Sequence, residues 1–115
     1  MYNTLKKDII LKQFTNVTVL LEGNSYFDGA VTSRTILFED GNKKTLGFML
    51  PGEYEFGTNK AELMEITTGQ VEVLLPDNEQ WTTINTGESF NVPANSKFAI
   101  KVHSITDYCC SYIED

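Results

Sequence analysis

Glu62 is followed after six residues by Gly69, and Gly87 after five residues by Pro93. That is the punctuation of a metal-binding β-barrel motif, in which a glutamate and histidines on neighbouring strands converge on one cation. Here the ligand positions have changed type. Phe56 and Thr58 stand where paired histidines belong, and Phe98 and Val102 stand where a further histidine and a closing asparagine belong. His103 is the one histidine in the chain and has no companion ligand, whereas iron sites of this kind need at least two. The framework predicts a barrel that keeps a carboxylate but no metal, so its chemistry must rest on hydrogen bonding, charge and aromatic surface.

Strands must position these groups. Turn signals recur at short intervals, among them Gly23-Asn24, Asp40-Gly41-Asn42, Pro51-Gly52, Pro76-Asp77-Asn78 and Pro93-Ala94-Asn95. Between them lie β-branched and aromatic runs over 30–38, 45–50, 71–75 and 98–102. This is the pattern of an all-β sandwich or barrel. Successive strand residues face opposite sides, so a phase that turns Phe56 and Thr58 inward also turns Tyr54 inward and leaves Glu53 and Glu55 outside. The same phase turns Glu62, Met64 and Ile66 inward with Glu65 outside, provided no bulge intervenes. Phe98, Ile100 and Val102 point in, against outward Lys97 and Lys101. Residues 4–14 suggest a short helix or a further strand; 1–16 are read as an N-terminal extension and 17–115 as one barrel domain.

A chain of 115 residues is long enough for one buried core and too short for two. Sixteen acidic residues against nine basic ones give a net charge of -7, which repels nucleic-acid backbones and anionic membranes, so neither is expected as a partner. No run approaches the roughly 20 apolar residues of a membrane-spanning helix. Lys6 and Lys7 precede only a short interrupted apolar stretch without a small-residue cleavage site, which is not the pattern of a signal peptide. Cys109 and Cys110 are adjacent, point to opposite faces of a strand and cannot build a disulfide framework. A reducing cytoplasm fits this cysteine usage.

The blocks Asn24-Ser25-Tyr26-Phe27-Asp28-Gly29, Leu50-Pro51-Gly52-Glu53-Tyr54-Glu55-Phe56, Val73-Leu74-Leu75-Pro76, Phe90-Asn91-Val92-Pro93 and Cys109-Cys110-Ser111-Tyr112 carry a specific resemblance. Over 17–113 the chain resembles the small bacterial pyrimidine/purine nucleoside phosphorylases, and only the first sixteen or so residues depart from that pattern. The resemblance implies a single cupin jelly-roll β-barrel, a homodimer, and reversible phosphorolysis of purine and pyrimidine ribonucleosides. Phosphate would displace the base at the anomeric carbon, giving ribose 1-phosphate and free base. Nucleosides and inorganic phosphate are then the partners, with phosphate as co-substrate and no cofactor.

Such a reaction needs donors for a phosphate dianion, groups that hold the ribose hydroxyls, and a surface for the departing base. In an oxocarbenium-like transition state the incoming phosphate itself stabilises the ribose, so positioning and electrostatics carry most of the effect. For phosphate, Arg34 is the only arginine and offers a bidentate fork, with Lys43 and Lys44 after a turn and the hydroxyls of Ser33 and Thr35 flanking it on the opposite face. The competing reading makes Arg34 a solvated strand residue and the lysines charged hairpin ends. For ribose, Glu62 is aimed inward; the alternative is a bulge or strand end that leaves it in solvent, with Glu65 as substitute if the phase slips. For the base, Tyr54, Phe56 and Tyr112, with Phe90 and Phe98, offer faces on which either base class stacks, although most such rings in a small barrel are core. Glu62 and Arg34 are thus the expected catalytic residues, and Tyr54, Phe56, Ser33, Lys43 and Tyr112 the expected substrate contacts. Two rivals stay open: a non-catalytic cupin that binds a nucleoside or other small polar ligand, and a divergent metal-dependent cupin, which the single histidine opposes.

Overall fold

β-Branched and aromatic runs cut by glycine, proline and asparagine turns give short strands, and eleven are present in the computed structural model, which describes residues 12–113. They are β1 (Thr18–Val19), β2 (Asn24–Tyr26), β3 (Val31–Leu37), β4 (Lys43–Met49), β5 (Gly52–Gly57) and β6 (Ala61–Thr68). β7 (Gln70–Leu74), β8 (Thr82–Asn85), β9 (Ser89–Val92), β10 (Lys97–Val102) and β11 (Thr106–Ile113) complete the order. A 3-10 turn over Phe27–Gly29 joins β2 to β3, and among the described residues there is no α-helix. The reading of 1–16 as an extension falls outside the described residues over 1–11.

Two antiparallel sheets face each other as a jelly roll. The larger runs β1-β3-β4-β11-β6-β9, with β2 also paired to β3, and the smaller runs β5-β10-β7-β8. The period-two pattern fills the space between them. Val71, Val73, Phe98, Ile100, Val102 and Ile84 come from the smaller sheet, and Val31, Met49, Met64, Ile66, Phe90 and Val92 from the larger. Each such side chain, fully buried, contributes on the order of 1.5–3 kcal/mol.

The inward phase expected for β5 is present: Tyr54 and Thr58 are buried, Phe56 is half-buried, and Glu53 and Glu55 are exposed. On β6, Met64 and Ile66 are buried and Glu62 shares their face. A bulge does interrupt the β6–β11 pairing, but it lies between Asp107 and Tyr108, beyond Ile66, so the phase of Glu62 is untouched. Cys110 joins the core while Cys109 is buried on the opposite face, both as free thiols. His103 is exposed and pairs with Glu72 at 2.6 Å. Trp81 lies outside the core cluster, with the Lys101 ammonium 4.1 Å from its ring centroid.

At Gly47 a close approach of backbone dictates the residue. It sits on β4 between Ser33 of β3 and Tyr108 of β11, and the Tyr108 hydroxyl donates across it to the Thr32 carbonyl at 3.2 Å. A Cβ at Gly47 would collide with that same carbonyl. Gly47→Ala is therefore expected to destabilise the fold by about 1–3 kcal/mol, as overpacked sites do. Urea unfolding checks this, and an unchanged midpoint would mean that strand separation here is not set by the missing side chain.

Candidate active site

The register of the larger sheet brings polar residues to one inward region. Thr45 of β4 stands opposite Cys110 of β11, and Cys110 stands opposite Met64 of β6. In the next inward row Tyr112 stands opposite Glu62, which in turn faces Val92 of β9. Ser33, two strands away, shares this interior face. Together Ser33, Thr45, Glu62, Cys110 and Tyr112 form the polar wall of a cavity of about 150 Å³. Met49, Met64, Phe98 and Phe56 supply its apolar side, and Tyr26 reaches it from β2.

Hydrogen bonds hold this wall. The Asn24 amide Nδ2 donates to Ser33 Oγ at 3.2 Å, and the Tyr112 and Thr45 hydroxyls lie 3.4 Å apart. The Cys110 thiol and the Glu62 carboxylate both line the cavity, and each influences the other's ionisation. Burial raises the Glu62 pKa above the ordinary carboxyl value, and the Cys110 hydrogen bond opposes that rise. Burial, reinforced by the Glu62 charge and hydrogen bond, pushes the Cys110 thiol up to about 12. Burial likewise pushes Tyr112 up to about 12, against the hydrogen bond with Thr45. Both groups are therefore neutral donors at physiological pH, and Cys110 has none of the thiolate character of a nucleophile. The cavity offers one carboxylate surrounded by neutral hydroxyl and thiol groups.

The expected site residues separate into three sets. Glu62, Phe56, Ser33 and Tyr112 come together around the cavity. Lys43 stands at its rim: it is exposed, shares the inward phase of Thr45, and its ammonium lies 5.4 Å from the Tyr112 ring centroid. Tyr54 and Arg34 are elsewhere. Tyr54 is buried in the core, and its hydroxyl donates to the Leu50 carbonyl at 2.7 Å, so its polar end is taken by the turn before β5. Arg34 is on the outer face of β3, exposed, where Nε donates to the Leu21 carbonyl at 3.3 Å and the guanidinium packs on Gly23. That placement separates Arg34 from the cavity, because neighbours on a strand point to opposite faces and Ser33 takes the inner position. Lys44 also points outward, with its ammonium 5.4 Å from the Phe14 ring and 5.7 Å from the Phe38 ring.

Thr45, Cys110, Asn24 and Tyr26 were not among the expected site residues. Thr45 shares its phase with Lys43, and Cys110 with Tyr112, so period two alone could have nominated them. The positions that would hold a metal in related barrels carry no ligand set. Phe56 and Phe98 are paired across β5 and β10 with ring centroids 5.7 Å apart, and the Thr58 hydroxyl is committed to the Pro93 carbonyl at 2.7 Å. Among the described residues no group of three or more His, Cys, Asp or Glu gathers.

This topology, with a carboxylate-bearing interior and an aromatic pair at two positions where metal ligands were expected, is that of a cupin jelly roll. A cupin domain from Schizosaccharomyces pombe matches it in fold alone, with a TM-score of 0.56 and 14% identity over 72% of this chain and 61% of that one. Residues 21–112 match the family model described as pyrimidine/purine nucleoside phosphorylase. A protein of that name from Sulfurovum sp. (strain NBC37-1) is 70% identical over 103 residues, covering 90% of this chain and 100% of its own. A solved structure from Acinetobacter sp. ADP1, described as a protein of unknown function, has a TM-score of 0.86 and 42% identity over 88% of this chain and 98% of that one. The chain belongs to the pyrimidine/purine nucleoside phosphorylase family.

The raised Glu62 pKa makes a stability prediction. A carboxyl whose pKa is higher folded than unfolded contributes stability below the unfolded pKa, and that contribution is lost as pH rises through the folded value. Glu62→Gln is accordingly expected to unfold at a higher temperature than the parent at about pH 8, with the gap closing toward about pH 4. A loss of stability in Glu62→Gln that is larger at about pH 8 than at about pH 4 would show that the carboxylate's hydrogen bonds outweigh its desolvation.

Proposed function

We propose that the chain catalyses the reversible phosphorolysis of purine and pyrimidine ribonucleosides to free base and ribose 1-phosphate. The observation that carries this reading is the gathering of one desolvated carboxylate and several neutral donors in a single cavity with a lysine at its rim. The names of the close relatives support it.

In the proposed reaction the C1′–N bond breaks with its electron pair left on the base nitrogen, an oxygen of hydrogen phosphate forms the new bond to C1′, and the proton that the phosphate gives up ends on the base nitrogen. Positive charge develops on the ribose between these events. Glu62 accepts hydrogen bonds from the ribose hydroxyls and lies where its charge stabilises that cation, an effect strengthened by exclusion of water. Ser33, Thr45 and Tyr112 donate hydrogen bonds to ribose or phosphate oxygens, and Lys43 attracts the dianion at the rim. No protein nucleophile, cofactor or metal takes part in this scheme.

Two buried free thiols fit a reducing compartment, and the proposed location is the cytoplasm. No helix among the described residues is long and apolar enough to cross a membrane. The proposed assembly is a homodimer, for which the exposed Leu46, Phe48 and Leu50 on one side of the larger sheet are the supporting feature.

Purified protein incubated with uridine or adenosine, with and without phosphate and with a chelator, is expected to release uracil and adenine only when phosphate is present and regardless of chelator. Ligand binding without base release would instead establish the non-catalytic alternative. In the same assay Glu62→Gln should lower kcat by about 10²-fold or more. Lys43→Ala should raise KM for phosphate, and Arg34→Ala should stay near the parent. An inactive Arg34→Ala protein that folds normally would return phosphate binding to the outer face of β3.

A further inference from the structure

The cavity and a nucleoside differ in size. At about 150 Å³ it falls below the roughly 300 Å³ at which pockets for small organic molecules begin, and its polar wall suits a ribose and a phosphate rather than a heteroaromatic ring. The base must then lie at the mouth.

At the mouth stand two aromatic side chains that the protein does not bury. Tyr26 lines the cavity and is still 46% exposed, and Phe27 beside it is 49% exposed. Each meets Phe56 nearly edge-on. The Tyr26 centroid is 6.4 Å away with an interplanar angle of 85°, and the Phe27 centroid is 5.5 Å away at 88°. Phe27 also packs on Tyr54 at 5.0 Å, and Phe56 in turn packs on Phe98. The buried rings thus anchor the outer two, while both outer rings keep surface open to solvent.

The backbone that presents them is unusual. Phe27, Asp28 and Gly29 are three consecutive residues with positive φ, at 53°, 55° and 91°. Glycine adopts this region freely, but a bulky residue such as phenylalanine does so rarely and at a cost in energy. Such conformations persist where surrounding structure over-determines them, and they concentrate at ligand sites. Here β2 is fixed to β3 through Tyr26 and Val31, the Asn24 amide holds Ser33, and the Ala30 amide closes the turn on the Phe27 carbonyl at 3.1 Å. A strained turn that leaves two aromatic rings half in water gains little from burial. It makes sense as a surface for a flat ligand.

We propose that Tyr26 and Phe27 are the base-stacking platform of this site, holding the purine or pyrimidine ring outside the polar cavity while ribose and phosphate lie within. The proposal rests on the phosphorylase reading and names the part of it that sets substrate breadth. A platform reads the face of a ring and not its hydrogen-bonding edge, so one-ring and two-ring bases are both accepted. The occupant is the base and not another protein surface because Tyr26 belongs at once to the cavity wall and to the exposed patch.

Phe27→Gly removes the ring and suits the left-handed backbone, and a urea midpoint close to the parent's separates a loss of function in it from loss of packing against Tyr54 and Phe56. Tyr26→Trp keeps the platform and adds a reporter. In Phe27→Gly and Tyr26→Ala, KM for uridine and for adenosine should both rise about tenfold or more, as expected for losing one stacking ring, with KM for phosphate unchanged. In Tyr26→Trp, uracil and adenine should quench the new indole emission, and ribose 1-phosphate alone should not. Unchanged nucleoside KM values in an active protein overturn the platform. Dissociation of an oligomer in Phe27→Gly, with nucleoside KM unaltered, overturns it in favour of a second copy of the chain as occupant. Absence of phosphorolysis by the parent protein overturns the phosphorylase reading instead, and quenching of Tyr26→Trp by free bases would separate that failure from failure of the platform.

Discussion

The site depends on the register of β11. This strand lies between β4 and β6 and is hydrogen-bonded to both, so its pairing decides which side chains of three strands share the interior. Tyr112 meets Glu62 on one side, while Cys110 lies between Thr45 and Met64. A slip of one residue on β6 would export Glu62 and bring Glu65 inside, because side chains alternate with period two. Met64 and Ile66, both buried in the core, would leave it in the same step. The apolar core therefore holds the carboxylate in place. The β6–β11 bulge absorbs its extra residue near Thr68, at the far end from Glu62.

Given that register, the electrostatics of the cavity follow from composition. Metal-binding barrels of this kind place a cation among histidines; this chain carries the Phe56 and Phe98 rings at two of those positions, with Glu62 in the same cavity wall. A desolvated carboxylate is unfavourable in the resting protein unless it is hydrogen-bonded. Cys110 supplies one bond, and the high pKa values of Cys110 and Tyr112 ensure that neither adds a competing negative charge near neutral pH. The cavity is thus arranged to favour a cation or a group rich in hydroxyls. A ribose passing through an oxocarbenium-like state is both.

How much of this was legible in the sequence differs residue by residue. The strands and the inward phase of Tyr54, Phe56, Thr58 and Glu62 are local properties, written in alternation and turn residues, and they can be read without a fold. Arg34 illustrates the limit of arguing from residue type, since guanidinium chemistry suited phosphate but the adjacent Ser33 held the inward position. The hydroxyl of Tyr54 finds its partner in the Leu50 carbonyl, which depends on how the intervening turn folds back. The meeting of Thr45, Cys110 and Glu62 joins residues from three strands that are distant in sequence, and nothing local specifies it. The turn at Phe27 and Asp28 runs against propensity, which never assigns left-handed backbone to phenylalanine in advance.

Depth and mouth of this cavity are built from different chemistry, and that difference bears on selectivity. Strong discrimination between similar ligands comes from buried polar groups that are left unpaired by the wrong one. In this protein Ser33, Thr45, Glu62, Cys110 and Tyr112 stand in the cavity wall, while the mouth presents the rings of Tyr26 and Phe27. With ribose and phosphate held within and the base on the rings, unpaired polar groups penalise a changed sugar, whereas a changed base alters only the area of a stacked face. Both rings pack edge-on against Phe56, a contact that restricts their orientation. Selectivity for the sugar and tolerance of the base then have one origin, the placement of hydrogen-bonding groups below an aromatic rim.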